Sequence, residues 1–165
     1  MIRASIVTAL VSMGFLGVLF NHSNPRAAPE PKFTELSTED SVRLEHQRAL
    51  VAAEVKRRYG KALTRTKRDL PILQDLIDDG VFTKSQTYEL QSLGVAFGDV
   101  LANELPLRWV MVTDEFGTDP TLRFKQTTLQ VNAPTMISKR VERDEPVDLS
   151  YLLRATREQL GKAWK

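Results

Sequence analysis

The chain reads as an α+β domain with three N-terminal helices, a small three-stranded antiparallel sheet and two C-terminal helices. Three observations predict this. Apolar residues recur at helical spacing through Leu44, Val51, Val55 and Tyr59, and again through Leu90, Leu93, Phe97 and Leu101. From Leu107 to Val131 the pattern changes to alternation, broken by turn residues. After Pro134 the helical spacing returns.

Each element has a local reason. Ser37 stands three residues before Asp40, the spacing of a capping box, so a first helix starts there and runs to about Tyr59, with Gly60 ending it. Asp69 is placed to cap a short second helix, with Pro71 in its first turn and Leu70, Leu73, Leu76 and Ile77 facing inward. Thr83 with Gln86 predicts the cap of a third helix, which runs to about Leu105 and stops before Pro106. Gly94, Gly98 and Ala102 recur every four residues along it. A mid-helix glycine costs about 1 kcal/mol against alanine, so another backbone is expected close to that face, the following strand first. Leu107 to Thr113 is apolar on both faces and reads as a central, covered strand. Leu122 to Lys125 and Leu129 to Val131 alternate and complete the sheet. Pro134 opens a fourth helix with Met136, Ile137 and Val141 inward. Asp148 caps a fifth, with Leu149, Leu152, Leu153, Thr156 and Leu160 inward and Gly161 after it.

The N-terminus has a different character. Residues 6–20 carry no charge and follow Arg3. That is the form of an export signal, and it is short for a span of roughly 20 residues. Residues 1–28 therefore read as a signal peptide or an uncleaved N-terminal membrane anchor. Residues 29–36 read as a linker beside Pro25, Pro29 and Pro31, and 37–165 as one domain. Either form of leader leaves Arg3 in the cytoplasm and the domain in the periplasm, free or anchored to the inner membrane.

Composition narrows the chemistry. There is no cysteine, which removes disulfides and thiolate nucleophiles together. Net charge is +2, but Arg3 and Arg26 lie in the leader, and the remaining 21 basic residues balance 21 acidic ones. A folded part without basic excess argues against nucleic acid. No Gly-rich phosphate loop, nucleophile elbow or histidine cluster is present. No catalytic residue, metal ligand or cofactor is assigned, and whether the chain is an enzyme stays open, leaning towards none.

Leu93-Gly94 with Gly98-Asp99, Leu107-Arg108-Trp109-Val110, the stretch from Asp114 to Pro120, and the run from Met136 to Glu142 together resemble the core of a bacterial domain-of-unknown-function family. The resemblance covers roughly residues 85–150. It implies a bacterial protein, often exported or membrane-attached, and brings no activity or site residues with it.

Two groups of side chains are candidates for function. The first is acidic: Asp99, Glu104, Asp114, Glu115 and Asp119. Paired carboxylates do general acid–base work, or hold a hard cation, when they converge. The competing expectation is a hairpin turn with solvated acids. The second is basic: Arg123, Lys139 and Arg140 as contacts for an anion or as partners of those acids, and Arg57, Arg58 and Lys61 as a partner surface. The last three lie in a run from Arg43 to Arg68 that holds nine basic residues and two acids. Pairing of this run with Asp75, Asp78 and Asp79 is its structural alternative. The leading expectation is a non-enzymatic protein-binding module, of interaction or immunity type, that meets another envelope protein. The membrane is a further partner through residues 6–20 if the leader is kept. The alternative is a carboxylate-based hydrolase or cation-binding domain, which needs two of the acids in one pocket.

Overall fold

The computed structural model describes residues 30–163; the leader read over 1–28 lies outside them. The class is α+β, as the periodicities predict. The element order is β1 (Lys32–Thr34), α1 (Thr38–Tyr59), a 3-10 turn at Lys67–Asp69, α2 (Leu70–Asp78), α3 (Thr87–Glu104), β2 (Leu107–Asp114), β3 (Gly117–Phe124), β4 (Gln130–Val131), α4 (Ala133–Glu142) and α5 (Leu149–Ala163). None of the described helices is long and apolar enough to cross a membrane.

The sheet has four strands in the order β1-β2-β3-β4, all antiparallel. The fourth is a correction. The stretch read as a linker supplies β1, which pairs Phe33 with Val112. Three residues beside Pro31 are too few to show an alternation, and the strand exists only because β2 has a free edge for it. That places β2 in the interior of the sheet, with Val110, Met111 and Val112 all buried. β3 begins earlier than the alternation suggests, at Gly117. Pro120 is tolerated in it because β4 reaches only Leu122 and Arg123, leaving the earlier part of β3 at the sheet edge.

Helix α3 is the centre. Every residue from Ser92 to Leu101 is buried, so it is enclosed on all sides. α1 lays Leu44, Val51 and Val55 into the core; α2 adds Ile72, Leu73 and Leu76. α1 starts as read: the Ser37 hydroxyl accepts from the Asp40 backbone N–H, Asp40 accepts in return from the Ser37 N–H, and Gly60 ends the helix in the left-handed region at φ 66°. The start of α5 is also as read, with Asp148 Oδ1 accepting from the Tyr151 N–H at 2.8 Å, but the helix runs past Gly161.

Two other caps differ. Thr83 and Gln86 form their hydrogen bonds in the turn before α3, which begins at Thr87, three residues beyond the start that a Thr83 cap would set. Asp69 makes no side-chain cap to α2 and is turned to the preceding loop. Asp78 and Asp79, at the unfavourable end of α2, are held by Gln74 and by the hydroxyl of Tyr59 at the end of α1, not by the basic side chains of that helix.

The glycines of α3 do admit a close neighbour, and it is chiefly α4. A Cβ on Gly94 would lie 2.4 Å from the Pro134 carbonyl oxygen and 2.5 Å from that of Ala133. A Cβ on Gly98 would lie 2.5 Å from the Trp109 ring and 2.9 Å from the Ala133 Cβ. The expected strand contributes a side chain; the backbone in contact belongs to the first turn of α4.

Gly94→Ala and Gly98→Ala are each expected to cost about 2–3 kcal/mol in urea unfolding, because neither carbonyls nor a wedged indole can move aside. Gly161→Ala, on α5 with open space at its Cβ, is the control and should be neutral or gain up to about 1 kcal/mol.

Candidate functional site: a basic cleft in front of a buried carboxylate

An aspartate on an enclosed helix needs partners. Asp99, one residue after Gly98, is 8% exposed. Its carboxylate accepts a bidentate pair from Arg48 on α1, Nε to Oδ2 at 2.7 Å and Nη2 to Oδ1 at 2.8 Å. Oδ1 also accepts from the Trp109 indole N–H on β2 at 2.9 Å. These bonds hold the Arg48 guanidinium above its ordinary value, against the effect of its own burial. One carboxylate thus joins α1, α3 and β2.

Outside this pair stands Glu45, one turn before Arg48. It accepts from Arg48 at 3.3 Å and from Arg65 at 3.1 and 3.3 Å. Arg65 is in the left-handed region at φ 60°, a conformation that non-glycine residues adopt only when their surroundings impose it. The surroundings here are Asp69. Its buried carboxylate accepts from the Thr64 N–H, the Thr64 hydroxyl and the Arg65 N–H, at 2.6–3.0 Å. Asp69 is therefore the clamp of the 64–65 loop.

Loop and helix enclose a cleft of about 440 Å³, within the usual size of ligand sites. Ala49, Ala52 and Ala53 of α1 and Ala96 of α3 line it with methyl groups. Lys56, Lys61 and Arg65 supply positive charge, and the Arg48–Asp99 pair is part of its wall. Among the described residues Lys56 and Lys61 make no ion pair.

The candidate acids do not come together. Asp99 is bound as above. Glu104, at the end of α3, accepts weakly from the Lys67 N–H at 3.4 Å. Asp114 accepts from the Phe116 N–H in the β2–β3 turn. Glu115 and Asp119 are exposed on the same hairpin. The candidate cations are separated too, and they bind carbonyls where acids were expected. Arg123 donates to the Thr127 and Gln126 carbonyls and covers the Phe33 ring at 4.3 Å. Arg140 donates to the Met136 carbonyl at 2.6 Å, and burial lowers its guanidinium. Lys139 is exposed. On α1, Arg57 and Arg58 both pair with Glu54, not with the acids of α2. Lys61 alone of the expected partner surface lines the cleft. No three acidic or histidine side chains among the described residues are placed to share a metal ion.

Sequence reasoning passed over Arg48, Glu45 and Asp69 as site residues. The available signal was Asp99 itself, a charge flanked by Phe97, Gly98 and Val100 on a helix with no wet face.

A four-stranded antiparallel sheet on a buried central helix, with its one buried helical carboxylate neutralised internally, defines a small α+β domain. The chain belongs to the family described as Domain of unknown function (DUF3806), whose model matches residues 69–152. That match begins at the clamp aspartate and leaves α1 outside it. The fold is similar to a crystal structure from Bacteroides thetaiotaomicron, with a TM-score of 0.72 at 15% identity; the likeness covers 84% of this chain and 52% of that one. This chain thus spans about half of that protein, and at such identity the likeness concerns the fold. No curated relative matches.

Two outcomes test the electrostatics. Asp69→Ala should cost about 2–3 kcal/mol and open the Thr64 and Arg65 amides to hydrogen exchange, since it removes the bonds that hold a strained residue. Glu54 is held at about 2 by its hydrogen bonds to Arg57 and Arg58. A depressed carboxyl stabilises the fold fully above the ordinary glutamate value and loses that contribution as pH falls towards about 2. NMR titration of its side-chain carbonyl should give that low midpoint, and Arg57→Ala with Arg58→Ala should return it to the ordinary range.

Proposed function

We propose that this domain is a non-enzymatic protein-binding module of the bacterial envelope that engages an acidic partner through the cleft between α1, α3 and the loop from Lys61 to Asp69. The observation that carries this reading is the distribution of charge. Lys56 and Lys61 line a concave, methyl-lined surface and have no carboxylate partner among the described residues. Cations of this kind steer an oppositely charged partner and reward its docking. Carboxylate catalysis requires two acids facing one substrate, and Asp99, Glu104, Asp114, Glu115 and Asp119 face different surroundings. Asp99 in particular has both oxygens engaged by Arg48 and Trp109. The envelope assignment rests on the uncharged stretch at residues 6–20 behind Arg3. In this reading the domain faces the periplasm, either released or held at the inner membrane by that stretch.

The test is capture from bacterial membrane and soluble fractions with the intact protein as bait. A reproducible partner is expected, with recovery falling at least about tenfold for Lys56→Glu combined with Lys61→Glu. Capture that ignores this charge reversal contradicts the cleft as the docking surface. A reporter fused to the C-terminus that is active only in the cytoplasm contradicts the envelope assignment.

A further inference from the structure

Glu45 holds an unusual place in the cleft. It stands on the same face of α1 as Arg48, Ala49, Ala52 and Lys56, at helical spacing, and its carboxylate is the nearer of the two that Arg65 meets from across the opening, at 3.1 Å against 3.8 Å for Asp99 behind it. Arg65 and Glu45 are 56% and 58% exposed in their side chains. An ion pair this wet contributes little, so another carboxylate can replace Glu45 at small cost. Behind it, the Arg48–Asp99 pair is only 16% and 7% exposed and stays fixed. The cleft therefore has a rigid wall and an exchangeable acid at its mouth.

The shape sets the class of the incoming group. The alanine strip from Ala49 towards Lys56 covers two turns of α1, about 10 Å, the length of about three residues of extended peptide. Methyl groups leave room for a backbone and give no polar competition. The cations lie at its rim, where acidic side chains reach them.

We infer that the cleft recognises a short acidic peptide segment, in which one carboxylate displaces Glu45 from Arg65 while another pairs with Lys56 and Lys61. This rests on the binding-module reading above and gives it a ligand. Glu45 is then a resident stand-in for the ligand's carboxylate. Asp69 serves the same site by holding Arg65 in the backbone conformation from which it reaches across.

The chain reports on this site through its own indole. It has two tryptophans, Trp109 and Trp164, and Trp109 donates to Asp99 directly behind the cleft. With Trp164→Phe in the full-length, isotope-labelled protein in non-ionic detergent, the remaining indole N–H resonance belongs to Trp109. An end-capped tri-glutamate peptide is expected to shift it saturably. Glu45→Gln should tighten that binding about threefold, and Lys56→Ala with Lys61→Ala should weaken it about tenfold. Ala53→Leu, at an exposed position of α1, should block it by filling the strip. The inference is overturned if a capped tri-glutamine peptide binds as well, or if inorganic phosphate alone binds as tightly. It is also overturned if the shift is absent or indifferent to these variants. A partner captured through Lys56 and Lys61, without any response to tri-glutamate, removes the acidic peptide and leaves the binding module standing. Saturable peptide binding without a captured partner supports the site and removes the envelope partner.

Discussion

The carboxylate of Asp99 is the interaction on which the arrangement depends. A charged group on a helix buried from Ser92 to Leu101 is costly unless its lone pairs are matched. Arg48 and Trp109 match them from two different directions. A bidentate guanidinium fixes orientation as well as distance, so α1 is held on α3 in one rotational setting. That setting buries Leu44, Val51 and Val55 and turns Glu45, the alanines and Lys56 towards the 61–65 loop. A buried pair of this kind is weak evidence for net stability, yet its disruption leaves an uncompensated charge. Its consequence here is geometric: it makes one wall of the cleft.

The same helix solves a second problem with its glycines. α4 can place the Ala133 and Pro134 carbonyls against α3 only where side chains are absent, at Gly94. One turn later Gly98 admits the Trp109 ring, which brings the indole N–H to Asp99. The glycine stripe and the buried acid are therefore one device. Without the space at Gly98, Trp109 could not reach Oδ1, and Asp99 would lose a donor.

What was legible in the sequence was local. The Ser37–Asp40 box, the end of α1 at Gly60 and the start of α5 at Asp148 depend on residues within four positions of one another, and each is found where read. Long-range pairings were not legible. Arg48 and Asp99 are 51 residues apart, so nothing in periodicity links them. β1 is three residues long and takes its structure from β2. Asp69 shows why an identity is insufficient: an aspartate before a Leu-Pro helix start suits a cap, but the Thr64 and Arg65 donors lie closer to its carboxylate. The candidate acids were grouped by sequence position, but Asp114, Glu115 and Asp119 sit at the turn end of the β2–β3 hairpin, whereas Asp99 is bound through Trp109 near the start of β2. The basic run was legible as a surface. Which of its members were neutralised was not, because that depends on Glu54 and Glu45 selecting Arg57, Arg58 and Arg65.

The central claim is that Asp99 is a structural anchor for α1 and not a free acid awaiting a substrate. A double-mutant cycle on Arg48 and Asp99, with Arg48→Ala, Asp99→Ala and the pair measured by urea unfolding, tests it most directly. A coupling of about 2 kcal/mol or more is expected, with the double variant losing less than the two single variants together. Additive losses, with a coupling below about 0.5 kcal/mol, would mean that the two side chains act independently and that α1 is positioned by its apolar face alone.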